Sequence, residues 1–482
     1  MGLVTAAFGE KSTRQYSPIW LEHFIVKVKR DIEKEWWYKP AQSVARVLMM
    51  VRSVNISYRT QYSMLLPGFM PNAGDMLGQN KSGSSLAPGL DFAFGLVGDG
   101  YLDKAMDRGW MLNNDGVSTP ANINTSKDLQ IKAVLEPIRD LKIDLTASRT
   151  DTRAKSVQYM YDGRPTTLSG TFNITTISLR GALAGMGNAN NGYRSAAFDH
   201  FRELIPEFQQ RVGEEYSPQV LIPAFLSAYT SGAGKSLAIF PSLARLLPNW
   251  SVRYGGLSKL AWVKEHLKSL TLNHAYKSIY SVGSYVNTSY STVSINEAFS
   301  PLLGVDATFQ NDLTAKLEYR TTRVLNLSMT SIQLNESLSK DWVVGLAYKI
   351  RDFNLFGAKG NRTISKAQNP RKKSAGDSQN VQTSKFNVQN RKTGVNHDLN
   401  LRLDISLRKQ AAITRDIATG VSSASSGNTA FKLSFMADYT LSRLLTLTAY
   451  YDTQTNTPLL SSNSYPTTTH DFGLSMKFSL TR

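Results

Sequence analysis

The C-terminal half of this sequence alternates apolar and polar residues over segments of about ten, and that period of two decides the class of fold. In the clearest case Leu399, Leu401, Leu403, Ile405 and Leu407 interleave with Asn400, Arg402, Asp404, Ser406 and Arg408. One face of such a strand is wholly apolar and the other wholly polar. Phe431, Leu433, Phe435, Ala437, Tyr439 and Leu441 do the same against Lys432, Ser434, Asp438 and Thr440, and the chain closes on Phe472, Leu474, Met476, Phe478 and Leu480. The pattern occurs earlier at Val54, Ile56 and Tyr58, at Leu129, Ile131, Ala133 and Leu135, and at Leu141, Ile143, Leu145 and Ala147. Such segments predict about fifteen strands in an all-β, antiparallel protein.

Strand length selects among all-β classes. Strands of soluble sandwiches average about 5–6 residues, whereas these run near the ~9–11 that cross an outer membrane at a tilt. No stretch of about 18 apolar residues offers a transmembrane helix. The expected architecture is an antiparallel transmembrane β-barrel segment with a short helical N-terminus and a helical insert, a soluble β-sandwich being the alternative on pattern alone. The predicted divisions are a helical lead-in over 1–52, first barrel strands over 53–185, a helical and loop insert over 186–247, and C-terminal barrel strands over 248–482. The lead-in rests on Trp20, Leu21, Phe24, Ile25, Val28 and Ile32 at helical spacing, with a second short helix through Val44 to Val51.

Connections carry a second signal. Strands at 313–320 and 323–333, and at 431–441 and 444–452, are expected to join by tight turns, and 409–428 and 453–468 to be long loops. Short turns on one side and long loops on the other fit a barrel with distinct periplasmic and outer sides. Counting back from a last strand that ends inside places the long loops and the insert outside, and segment 353–394 inside.

Lys plus Arg number 55 against 37 Asp plus Glu, so 55 − 37 leaves +18. Such a balance invites anionic partners, among them the phosphates of lipopolysaccharide. Segment 353–394, with Arg371, Lys372, Lys373, Arg391 and Lys392, holds nine basic residues and one acid, so 9 − 1 gives +8 in one loop. Single-stranded nucleic acid needs a basic groove with stacking aromatics, but Phe431, Phe435 and Tyr439 lie on apolar faces and the cluster at 371–373 has none interleaved. Nucleic acid is therefore not an expected partner.

Chemistry finds little support. The chain has no Cys, which excludes thiolate metal sites, disulfides and Cys nucleophiles. Gly232-Ala233-Gly234-Lys235-Ser236 resembles the end of a phosphate-binding loop, yet the Gly required five residues before Gly234 is Tyr229. His23, His200, His266, His274, His397 and His470 include no pair at the i, i+4 spacing of a helical metal site. Asp199-His200, His397-Asp398 and His470-Asp471 are sequence neighbours, and adjacent strand residues point to opposite faces. No catalytic, cofactor or metal site is expected, and no enzymatic activity.

Several strings resemble the C-terminal part of the SprA/Sov family. They are Leu65-Leu66-Pro67-Gly68-Phe69, Leu247-Pro248-Asn249-Trp250-Ser251-Val252 with Gly256-Leu257-Ser258-Lys259-Leu260, and Leu272-Asn273-His274 leading to Tyr280-Ser281-Val282-Gly283-Ser284-Tyr285. Asn396-His397-Asp398-Leu399-Asn400-Leu401-Arg402 and the ending from Tyr450-Tyr451-Asp452 through Asp471-Phe472-Gly473 belong with them. The resemblance spans about residues 50 to 482. It implies part of a very large outer-membrane barrel, the translocon of the type 9 secretion system of Bacteroidetes, which exports folded cargo proteins and serves gliding motility. Implied partners are outer-membrane lipid and lipopolysaccharide, secreted cargo, a plug protein, a PorV-like shuttle barrel and the remaining N-terminal part of the translocon.

Within these strings Pro67, Gly68, Pro248, Asn249, Trp250 and Gly283 carry no transferable catalytic role and are expected to be architectural. Phe472, Leu474, Met476, Phe478 and Leu480 form the expected C-terminal insertion signal, although the chain ends on Thr481-Arg482 and not on an aromatic residue. Family members are several times longer and carry a signal peptide; none is evident here, so a C-terminal fragment or a split gene product is expected, with an open first strand near Val54. The alternative is a small autonomous outer-membrane porin or lipid-binding barrel.

Overall fold

The computed structural model describes residues 50–479 apart from residues 73, 84, 99, 113–118, 180–184, 232–233, 352, 354–397, 442–443 and 461–464. The helical lead-in, all of segment 353–394 but its first residue, and Leu480 lie outside the described residues. Among those described, the chain is an all-β antiparallel fold, dominated by one 14-stranded sheet that carries a helical insert.

The sheet opens with β1 (Val51–Leu65), so the predicted short helix through Val51 gives way there to strand. After β1 the chain makes an excursion that the sequence reading took for barrel strands. It holds a small hairpin of β2 (Asn80–Ser82) and β3 (Ser85–Ala87), then α1 (Leu90–Ala93) and α2 (Tyr101–Asp107). The sheet resumes with β4 (Ala121–Leu135), β5 (Leu141–Val157) and β6 (Thr166–Thr175). The insert follows, with α3 (Ala196–Val212) and α4 (Pro218–Tyr229), and the chain re-enters the sheet as β7 (Asn249–Tyr254).

A short helix, α5 (Ala261–His266), leads to β8 (Leu267–Val286), the two-residue β9 (Ser289–Tyr290), β10 (Thr292–Phe309), β11 (Thr314–Ser328) and β12 (Gln333–Ile350). The last four strands are β13 (Leu399–Asp416), β14 (Ser422–Thr440), β15 (Leu445–Pro458) and β16 (Thr467–Phe478). Each large strand pairs with its neighbours in chain order, in the antiparallel meander that tight connections favour.

Two expected boundaries are corrected. The strands predicted at 313–320 and 323–333 are one strand, β11, because Thr321 and Arg323 are not turn residues but buried members of its covered face. The loop predicted at 409–428 is mostly strand: β13 runs to Asp416, β14 starts at Ser422, and only a tight turn remains. Likewise β15 extends to Pro458, leaving 459–466 as the connection. Alternation fades in these stretches because their side chains no longer face one uniform apolar environment.

The ends of the sheet differ as predicted. Connections 136–140, 310–313 and 441–444 are tight and lie at one end, where β16 also finishes. Segment 351–398 leaves and returns at that end too, between Ile350 and Leu399, which are paired directly across β12 and β13. The excursion 66–120 and loops 158–165 and 459–466 lie at the opposite end.

β6 and β7 share one strand position between β5 and β8. Arg149 of β5 faces Ile174 of β6, and Thr146, three residues along, faces Asn249 of β7. On the other side Thr175 faces Ile279 and Trp250 faces Tyr276. The insert is thus spliced into the middle of a strand. It forms a helical cap over the half of the sheet away from the tight turns. Phe198, Phe201, Ile205 and Phe208 of α3 repeat at helical spacing and are buried, as is every residue of α4 from Val220 to Tyr229. They pack with Phe172, Tyr280, Ile295, Leu325 and Leu334 of the sheet.

Candidate functional site: a two-faced sheet with open edges

Pairing register places every alternating apolar run on one face. Val54, Ile56 and Tyr58 lie opposite Ala133, Ile131 and Leu129, which lie opposite Leu145, Ala147 and Arg149. Farther along, Leu346, Leu403, Phe435, Tyr451 and Phe472 form one row. This face divides in two. Toward the tight turns it is an uncovered apolar band, with Ile56 65%, Leu303 52%, Trp342 47% and Phe472 82% exposed. Toward the other end it lies beneath the cap and the excursion.

From Leu399 to Leu407 the band spans eight residue steps, about 26 Å at ~3.3 Å each. It crosses the pairing rows obliquely. Tyr58, near the band's upper limit in β1, begins a row through Leu129, Arg149, Ile174, Tyr280, Ile295, Leu325 and Glu336 to Ile413. Ile413 lies 413 − 407 = 6 residues beyond Leu407, where the apolar run of β13 ends. About 20 Å gained over eight interstrand steps of ~4.8 Å is a slope of about 30°, the stagger that tilted strands produce. Aromatic rings mark the band's upper border: Trp250 stacks on Tyr276 at 4.4 Å and Tyr319 on Trp342 at 4.5 Å.

The opposite face is polar and satisfies itself across strands. Arg408 Nε donates to Asp341 at 2.8 Å, Thr150 Oγ1 to Asp128 at 2.9 Å and Thr448 Oγ1 to Asp438 at 2.5 Å, each between directly paired residues. Ser434 donates likewise to Asp452. Asp404 and Asp438 belong to this network of a wetted wall.

Both edges of the sheet are open among the described residues. β1 pairs only with β4 and β16 only with β15. Nearly all of both strands is exposed. A long unpaired edge is a template for another strand.

The Pro248-Asn249-Trp250 string sits where the split strand resumes. The buried Asn249 side chain accepts the backbone N–H of Ser278 at 2.7 Å, a group that an unbroken neighbouring strand would have served. On the other side Thr175 Oγ1 accepts the N–H of Ser148 at 3.0 Å. Side chains thus replace the ladder bonds lost at the break.

Pro67 and Gly68 follow β1, where Pro67 O accepts from Tyr159 Oη at 2.5 Å and Gly68 adopts φ 75°. Gly283 lies in β8, where an added Cβ would stand 3.2 Å from Thr292 O. Phe472, Leu474, Met476 and Phe478 share the exposed band face of the last strand.

Two buried polar clusters escaped the sequence reading. Beneath the cap, Glu336 accepts from Arg323 and Arg415. At the strand break, Glu297 Oε1 accepts from Tyr276 Oη at 2.7 Å and Ser178 Oγ at 2.9 Å. Their residues come from distant segments, so only an interrupted apolar pattern, such as Glu297 and Arg323 at inward positions, signalled them.

The phosphate-loop resemblance dissolves, since Lys235 pairs with Glu207 at 2.6 Å and Arg211 donates to its carbonyl. His266 and His274 meet backbone carbonyls, and His470 meets Tyr451 Oη at 3.0 Å. Among the described residues no three metal-capable side chains cluster. No protein-family model matches the chain, and no curated protein matches it either.

Proposed function

We propose that this chain forms part of the wall of an outer-membrane protein-conducting channel that exports folded cargo, the role its resemblance to the SprA/Sov translocons of type 9 secretion implies. The observation that carries the reading is an apolar band that continues from Val54 to Phe478 across a sheet whose first and last strands remain unpaired. A membrane wall needs such a band, about 25 Å tall, backed by a polar face. A closed small porin has no free edges, so the open edges favour a section of a larger wall.

The work proposed is passive. The apolar face lies in outer-membrane lipid, the polar ladder lines water, and upstream strands join β1. Cargo, the plug, the shuttle barrel and lipopolysaccharide are partners on the same reading.

Because the chain lacks Cys, adjacent single cysteines test it cleanly. In outer-membrane vesicles Ser406→Cys should react with a membrane-impermeant maleimide while Ile405→Cys stays protected; equal labelling overturns the wall. Depleting the chain in its source cells should then retain exported proteins in the periplasm, and undiminished export overturns the transport role.

A further inference from the structure

Lys340 and Lys409 are paired directly across β12 and β13, on the same face as the apolar band. Like charges in that position repel. Both are exposed, and no ion pair or hydrogen bond joins either to an acid among the described residues. Their neighbours on this face are Thr321 of β11 and Thr429 of β14, again without a carboxylate.

The pair occupies a defined notch. One step toward the tight turns lie Trp342 and Leu407, at the top of the band, with Tyr319 stacked on Trp342. One step the other way, Leu338 is buried with Met186 and Ile413, and Tyr193 of the insert packs against them. Apolar surface below, a roof above and two unneutralised ammonium groups between fit an amphiphile whose anionic head lies at the border of the membrane.

We infer that Lys340 and Lys409 bind the phosphomonoester headgroup of an outer-leaflet lipid, whose acyl chains run down over Trp342 and Leu407. A phosphate monoester carries up to two negative charges and accepts from both ammonium groups, which removes their repulsion. The inference rests on the membrane reading of the band and adds a residue-level site to it.

The test uses the full chain with a single Thr455→Cys, labelled with bimane, two strands from Lys409 on the band face. It is reconstituted in phosphatidylcholine vesicles doped with headgroup-proximal doxyl-labelled diphosphoryl lipid A or with doxyl-labelled phosphatidylcholine. Lipid A should quench at a concentration on the order of tenfold lower, as expected for two lysine–anion contacts at an interface. Lys340→Gln with Lys409→Gln should abolish that preference, and Lys340→Arg with Lys409→Arg should keep it.

Equal quenching by both lipids in the unsubstituted chain overturns the site and leaves the membrane band intact. Absence of quenching by either overturns the band and the site together. A preference that survives the Gln pair places the anion elsewhere, and one erased by inorganic phosphate makes this a free-anion site; both overturn the assignment.

Discussion

Arg415 reaches Glu336 through two guanidinium nitrogens, Nε at 2.8 Å and Nη2 at 2.7 Å, and both side chains are fully buried beneath the helical cap. Arg323 Nη2 meets the other carboxylate oxygen at 2.5 Å. The same Arg415 donates to the backbone carbonyls of Tyr193 and Met186 in the insert. Arg202 of α3 answers from the cap, donating to Ile417 O at 3.0 Å. One acid therefore holds two strands of the sheet and, through Arg415, the segment that leads into α3.

Replacing Glu336 with Gln leaves two buried guanidinium groups without their counter-charge. Breaking one side of a buried ion pair costs about 3–5 kcal/mol. The cap should loosen before the sheet melts, seen as faster proteolysis near residues 185–195 with strand circular dichroism retained. Unchanged cleavage would show that the apolar packing of α4 holds the cap alone.

Asn249→Ala should uncover the N–H of Ser278 at the strand break. A buried donor left without its acceptor costs about 1–3 kcal/mol. Hydrogen exchange at Ser278 should accelerate, while exchange in β13 and β14 stays as before. Asn249→Asp, which keeps an acceptor oxygen, should protect Ser278 better than Ala.

Tyr101 predicts a pH response in the excursion. Burial pushes its phenol up to about 12, helped by the nearby Asp91 carboxylate, and Oη donates to Pro88 O at 2.5 Å. A raised pKa stabilises the neutral form, so its contribution is complete below the ordinary phenol value near 10 and is lost as pH rises toward 12. The excursion should lose proteolytic resistance over that window, and Tyr101→Phe should flatten the response.

The two faces predict opposite tolerance of charge. Leu474→Lys puts a cation on the band face, where a lipid-facing lysine costs about 2–4 kcal/mol near the midplane. Ser475→Lys, one residue along on the polar face, should cost almost nothing. Membrane yield of each variant checks this, and equal yields would contradict the assignment of faces.

The runs at Leu399–Leu407 and Phe431–Tyr439 were legible because a strand with lipid or core on one side and water on the other must alternate. The split strand was not, since Thr175 and Asn249 are 74 positions apart (249 − 175) and neither half is long enough to announce a shared place in the sheet. Arg320-Thr321-Thr322-Arg323 reads as a turn until Glu336, on the neighbouring strand, supplies Arg323 with its counter-charge.

By itself the sequence determined the antiparallel all-β class, the two chemically distinct faces and the helical character of the insert, all of which follow from local periodicity. Only tertiary structure decided that the cap covers the same face as the band, that the band crosses the strands obliquely, and that Lys340 stands opposite Lys409. Those relations depend on register between strands, and register is set by pairing over the whole sheet rather than by any one segment.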